Sequence, residues 1–83
     1  MHYTYKTKDV CSTQIDFRLE GDRVHDVRFT GGCNGNLNGI SKLIEGMKAE
    51  DVISKLEGTR CGFKDTSCPD QLSKALKAAL AEQ

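Results

Sequence analysis

Ile15-Asp16-Phe17-Arg18-Leu19-Glu20-Gly21-Asp22-Arg23-Val24-His25-Asp26-Val27-Arg28-Phe29 is the stretch that decides the fold. Ile15, Phe17 and Leu19 alternate with Asp16 and Arg18, while His25, Val27 and Phe29 alternate with Asp26 and Arg28. A period of two puts one set of side chains on one face of a strand. Gly21-Asp22 between the runs is turn chemistry, so the two strands form a hairpin. A two-residue loop would pair Phe17 with Asp26 and Ile15 with Arg28, setting charges on the apolar face. A loop of Gly21-Asp22-Arg23 pairs Leu19 with His25, Phe17 with Val27 and Ile15 with Phe29, and keeps that face apolar. A three-residue turn or a bulge is therefore expected, with Gly21 or Asp22 at positive φ.

Upstream, Tyr3 and Tyr5 alternate with polar residues in a first strand over roughly 2–8. Downstream the period becomes helical. Leu37, Ile40, Leu43, Ile44 and Met47 share one face of a helix over about 36–47. Val52, Ile53 and Leu56 support a short helix stopped by Gly58. Leu72, Ala75, Leu76, Ala79 and Leu80 form the apolar stripe of a last helix over about 69–82. Its start is marked by Ser67 or Cys68 at the N-cap, Pro69 in the first turn, and Asp70 three residues after Ser67 as in a capping box. The expected architecture is α+β: a three-stranded antiparallel meander followed by two or three helices on one face, in a single domain over 1–83.

The chain has 83 residues, enough for one core. Twelve Lys and Arg balance twelve Asp and Glu, leaving no long-range field to gather nucleic acid or an anionic membrane. No apolar run is long enough to span a bilayer, and the first residues do not have the charged-then-apolar order of a secretion signal, so a cytoplasmic setting is expected. The chain has two Tyr, three Phe and no Trp. So small a core benefits from a staple, and four cysteines are the candidates.

Cys11, Cys33, Cys61 and Cys68 contain no CxxC knuckle, so spacing alone is a weak metal signal. Topology strengthens it. Cys11 precedes the second strand and Cys33 follows the third, and antiparallel pairing brings those strand ends to the same edge. Cys68 opens a helix, where unpaired N–H groups and the dipole favour negative charge. Cys61 lies in the loop leading to it. All four can thus converge. Thr30-Gly31-Gly32-Cys33-Asn34-Gly35-Asn36 suits such a site, because glycines allow N–H groups to turn towards a sulfur. It lacks the ending of a Walker loop and the G-x-G-x-x-G of a dinucleotide site. Four inert buried cysteines, two disulfides and a redox dithiol remain alternatives; a single site of four thiolates leads. Soft thiolates suit zinc first and an iron–sulfur cluster second. His25 is read as a hydrogen-bonded core or edge residue, and His2 as solvated. Lys48-Ala49-Glu50-Asp51 is read as a solvated face, and no catalytic constellation is visible.

Thr66-Ser67-Cys68-Pro69-Asp70 spells the signature of the small four-cysteine TSCPD family, and Gly31-Gly32-Cys33-Asn34-Gly35-Asn36 and the chain length are also similar to that family. Related domains close adenosylcobalamin-dependent ribonucleotide reductases, so the resemblance implies a link to deoxynucleotide synthesis. From about Val10 to Ala79 the chain also resembles the U-type iron–sulfur assembly scaffolds, whose three cysteines match Cys11, Cys33 and Cys68. Thr13 stands where the scaffold has an acidic ligand, and Ser67 where it has a histidine. Cys61 looks like a replacement ligand, and a closed set of four thiolates suits keeping a metal better than passing it on.

A chain of this size cannot enclose a nucleotide, generate a radical and shield it from water. It is therefore expected to assist a larger protein, either ribonucleotide reductase or iron–sulfur machinery, and not to be a reductase by itself. Three functions follow in order: a zinc-binding accessory module, an iron–sulfur or sulfur carrier, and a thiol electron relay using Cys61 and Cys68.

Overall fold

The computed structural model describes residues 2–8, 10, 12–32, 34–59 and 66–82. Three strands come first, β1 (His2–Lys6), β2 (Ser12–Glu20) and β3 (Arg23–Gly31), then three helices, α1 (Asn34–Ile44), α2 (Ala49–Leu56) and α3 (Cys68–Glu82). The strands form an antiparallel meander in the order β1-β2-β3. Ile15, Phe17 and Leu19 are buried as their alternation requires, and Tyr3 stacks on Phe17 with ring centroids 5.5 Å apart.

The hairpin corrects the expected three-residue turn and Leu19–His25 pairing, and places the bulge further along β3. Gly21 sits at φ 60°, and Glu20 pairs with Arg23, so the turn has two residues. Leu19 consequently pairs with Val24 and not with His25. The displaced residue is absorbed further along. Asp16 pairs with Arg28 and Arg18 with His25, so Phe17 alone faces Asp26 and Val27 across a bulge on β3. Asp26 takes φ 55° there, a left-handed conformation that Asp tolerates better than most residues. Glu45 holds the bulge in place by accepting the Asp26 N–H at 2.9 Å. Past the bulge the expected register returns, with Ile15 opposite Phe29. Val24, Val27 and Phe17 are buried, while Asp26 is exposed and bonded to Arg18 Nε at 3.0 Å.

A second irregularity lies at the far end of the same strand pair. Ser12 pairs with Gly31 and Gln14 with Thr30, which leaves Thr13 as an extra residue on β2. The alternation flips there, so Thr13 is exposed and Ser12 is buried.

The helices cover the inner face through Ile44, Ala49, Val52, Leu72, Ala75, Leu76 and Ala79. α1 ends at Ile44 and does not reach Met47, and Leu43, expected in its apolar stripe, is 79% exposed. It lies at the margin of the stripe and lines an apolar groove against Val52 and Leu56 of α2. Of Lys48-Ala49-Glu50-Asp51, read from sequence as a solvated face, Ala49 at the start of α2 is fully buried. The reason is backbone pairing with the open edge of β3. Gly46 N–H donates to Val24 O at 2.7 Å, Val24 N–H to Met47 O at 2.9 Å, and Ala49 N–H to Asp22 O at 2.7 Å. Among the described residues, no helix is long and apolar enough to cross a membrane.

Candidate functional site at the start of α3

Cys68 is the first residue of α3 and carries a free thiol that is 7% exposed. Cys11, Cys33 and Cys61 lie outside the described residues, and so does the expected convergence of the four sulfurs. Among the described residues, no group of three or more His, Cys, Asp and Glu could hold a metal.

What surrounds Cys68 is a set of buried hydroxyl, carboxylate and amide groups. Ser67 is the N-cap. Its hydroxyl accepts the Asp70 N–H at 3.2 Å and donates to Thr59 O at 2.6 Å, while its carbonyl accepts the Gln71 N–H at 2.8 Å. Asp70 does not reach back to complete the expected capping box. Its carboxylate instead accepts the Gly58 N–H at 2.8 Å and the Thr66 hydroxyl at 2.5 Å, with Lys74 Nζ at 3.5 Å. Burial pushes the Asp70 carboxyl up, but the bonds from Thr66 and Gly58 and the charge of Lys74 outweigh it and hold it below its ordinary value. Gln71 donates to Thr66 Oγ1 at 3.0 Å and accepts the Lys8 N–H at 3.2 Å, tying the β1–β2 connection to the helix. No buried side-chain nitrogen or oxygen among the described residues lacks a partner.

Ser12 completes the arrangement from the sheet side. It is 1% exposed, and its hydroxyl donates to Cys68 Sγ at 3.1 Å. Its carbonyl accepts the Thr7 hydroxyl at 2.5 Å. Gly32 packs on it so closely that a Cβ would lie 3.2 Å from Ser12 N and 3.0 Å from Leu37 Cδ1. With φ at 82°, position 32 favours glycine, and a Cβ there would also press on the Ser12 backbone. Sequence reasoning found Ser67, Cys68 and Asp70 from their order at a helix start. It missed Ser12 and Gln71, and it placed Thr66 in the signature run without its bonds to Asp70 and Gln71.

The histidines lie elsewhere. His25 Nδ1 is 2.6 Å from Glu45 Oε2 and its Nε2 is 3.4 Å from Glu20, a bridging role at the sheet edge as expected. His2 is exposed, 3.5 Å from Asp16. A groove of about 550 Å³ between β3 and α1, lined by Asp26, Arg28, Asn38, Lys42 and Glu45, shares no residue with the start of α3.

Residues 2–80 match the TSCPD domain. The chain belongs to that family. No curated protein and no solved structure matches it. In this TSCPD domain the signature run divides its work. Thr66 and Asp70 bond to each other, Ser67 caps α3, and Pro69 occupies a first-turn position where a backbone N–H has no acceptor within the helix. Cys68 lies between them, its sulfur accepting the Ser12 hydroxyl.

Proposed function

We propose that this TSCPD domain is a metal-binding module in which Cys11, Cys33, Cys61 and Cys68 hold one zinc ion. It serves in the cytoplasm as an accessory or regulatory partner of a ribonucleotide reductase or a related enzyme of deoxynucleotide synthesis. The observation that supports this reading is the meeting of three segments at one helix start. Ser12, which follows Cys11 in sequence, lies 3.1 Å from Cys68 Sγ. Gly32, which precedes Cys33, lies against Ser12. Thr59, two residues before Cys61, accepts the Ser67 hydroxyl. A buried thiol at a capped helix start suits one corner of a closed tetrahedral zinc site. Zinc there supplies a cross-link between loops. The family's kinship with the reductases supports an assisting role.

Metal analysis and absorbance of protein purified without oxygen test the reading. Colourless protein with one zinc per chain is the expected result. Brown protein would favour the iron–sulfur alternative, and metal-free protein with titratable thiols would favour the relay through Cys61 and Cys68. A domain of this size holds about 4–12 kcal/mol of net stability, and four-thiolate zinc contributes on the order of 10 kcal/mol. Chelation of the loaded protein, or Cys68→Ser, should therefore unfold the chain or lower its melting temperature far more than loss of one packing contact.

A further inference from the structure

We infer that Ser12 is a positioning residue for the metal-bound sulfur of Cys68, donating its hydroxyl proton to that sulfur from the opposite wall of the site. The inference rests on the four-thiolate reading above. It starts from a departure from pattern. The alternation of β2 would bury residue 13 together with Ile15, Phe17 and Leu19, yet the extra residue at Thr13 turns Ser12 inwards instead. Bulges commonly re-aim a side chain in this way. A hydroxyl taken out of water needs a partner, and the described partner of Ser12 Oγ is Cys68 Sγ at 3.1 Å, a residue 56 positions away. Thr7 and Gly32 fix the backbone that carries it.

The chemistry of the site explains the choice of a donor. Four thiolates around a divalent ion leave two excess negative charges in a partly dehydrated setting. No cation among the described residues contacts Cys68. Lys74 faces Asp70, which is itself an anion already satisfied by Gly58 and Thr66. An O–H aimed at the sulfur withdraws electron density from it and fixes its direction, as outer-shell donors do at metal sites generally. Alanine at position 12 would preserve the volume of the wall and remove the donor.

Cobalt(II) bound to the full chain is the probe, compared in wild type, Ser12→Ala and Ser12→Thr. Wild type should show thiolate-to-cobalt charge-transfer absorption with tetrahedral ligand-field bands. Ser12→Ala should keep the tetrahedral bands, move the charge-transfer band to longer wavelength, and release cobalt to a competing chelator about 10–100-fold more readily. Ser12→Thr, which retains the hydroxyl, should restore the wild-type band. A merely structural serine would change stability without moving that band. If Ser12→Ala fails to take up cobalt while Ser12→Thr gives the wild-type spectrum, the hydroxyl assignment stands. Equal failure of both variants overturns it, as does an unmoved band in folded Ser12→Ala. Absence of any thiolate band in wild type overturns the four-thiolate reading and this inference together, whereas a band insensitive to Ser12 removes this inference alone.

Discussion

Where Gly21 and Asp22 turn β2 into β3, the molecule is closed by main-chain bonds and apolar burial. Residues 46–49 lie along the β3 edge as a strand would, and Leu19, Val24, Ala49 and Val52 fill the space beneath. The opposite end, around the first turns of α3, is built from side-chain hydrogen bonds. Among the described residues, the buried polar ones, Ser12, Thr66, Ser67, Asp70, Gln71 and Ser73, collect there. Main-chain pairing is indifferent to side-chain identity, so the hairpin end needs only shape and hydrophobicity. The α3 end depends on particular donors and acceptors, and a buried polar network fixes geometry only when every member is satisfied. The first end rests on shape and apolar burial, whereas the second rests on paired polar groups set around the Cys68 thiol.

Leu19→Ala should separate these roles most strongly. It removes a buried side chain at the hairpin end and should cost about 2–5 kcal/mol in denaturant unfolding, yet leave metal stoichiometry at the wild-type value. Metal loss equal to that of an α3-end variant would break the division. Asp70→Ala comes next, at about 1–3 kcal/mol, because the Gly58 N–H and the Thr66 hydroxyl lose their acceptor. On the proposed four-thiolate reading, its signature should be weaker metal retention against a chelator than Leu19→Ala shows at equal stability. Asp70→Asn, which keeps one carbonyl oxygen, should fall between Asp70→Ala and wild type.

The smallest effect belongs to the outer face of the sheet. Hydrogen bonds from Gln14 and Thr4 hold the Asp16 carboxyl below its ordinary value of 3.8. A carboxylate lowered on folding contributes stability that is fully present above its unfolded value and disappears as pH falls through the folded one. Asp16→Asn should therefore lose slightly in a melt at neutral pH and match wild type in strong acid. A difference that grows on acidification would contradict the assignment.

The comparison also shows how far the sequence could be read. The meander, the three helices and the start of α3 follow from periodicity and from Ser67-Cys68-Pro69-Asp70. The hairpin register was half legible. Alternation required one residue to be absorbed between Leu19 and Phe29, but a wider turn and a bulge at Asp26 satisfy the pattern equally. The choice falls to Glu45, distant in sequence, which bonds the Asp26 N–H. Ala49 was misplaced because its burial comes from main-chain bonds to Asp22 and Val24, which leave no trace in side-chain pattern. Ser12 was invisible for a related reason. A polar residue beside Cys11 reads as solvent-facing until the extra residue at Thr13 is known, and the sulfur it meets belongs to the other end of the chain. Local preferences are written in neighbouring residues, whereas partners chosen across the fold are not.

The clamp formed by Asp70 on Gly58 and by Ser67 on Thr59 has a consequence for how this chain can change in length. It pins both feet of the connection between α2 and α3. Residues gained or lost between Thr59 and Thr66 therefore lengthen or shorten a span whose anchor points stay fixed. The entropic cost of such a change is shallow, about 0.6 kcal/mol for each doubling. A change of chain length between these two anchors would therefore leave the C-terminal end of α2 and the N-terminal end of α3 where the bonds to Gly58 and Thr59 hold them.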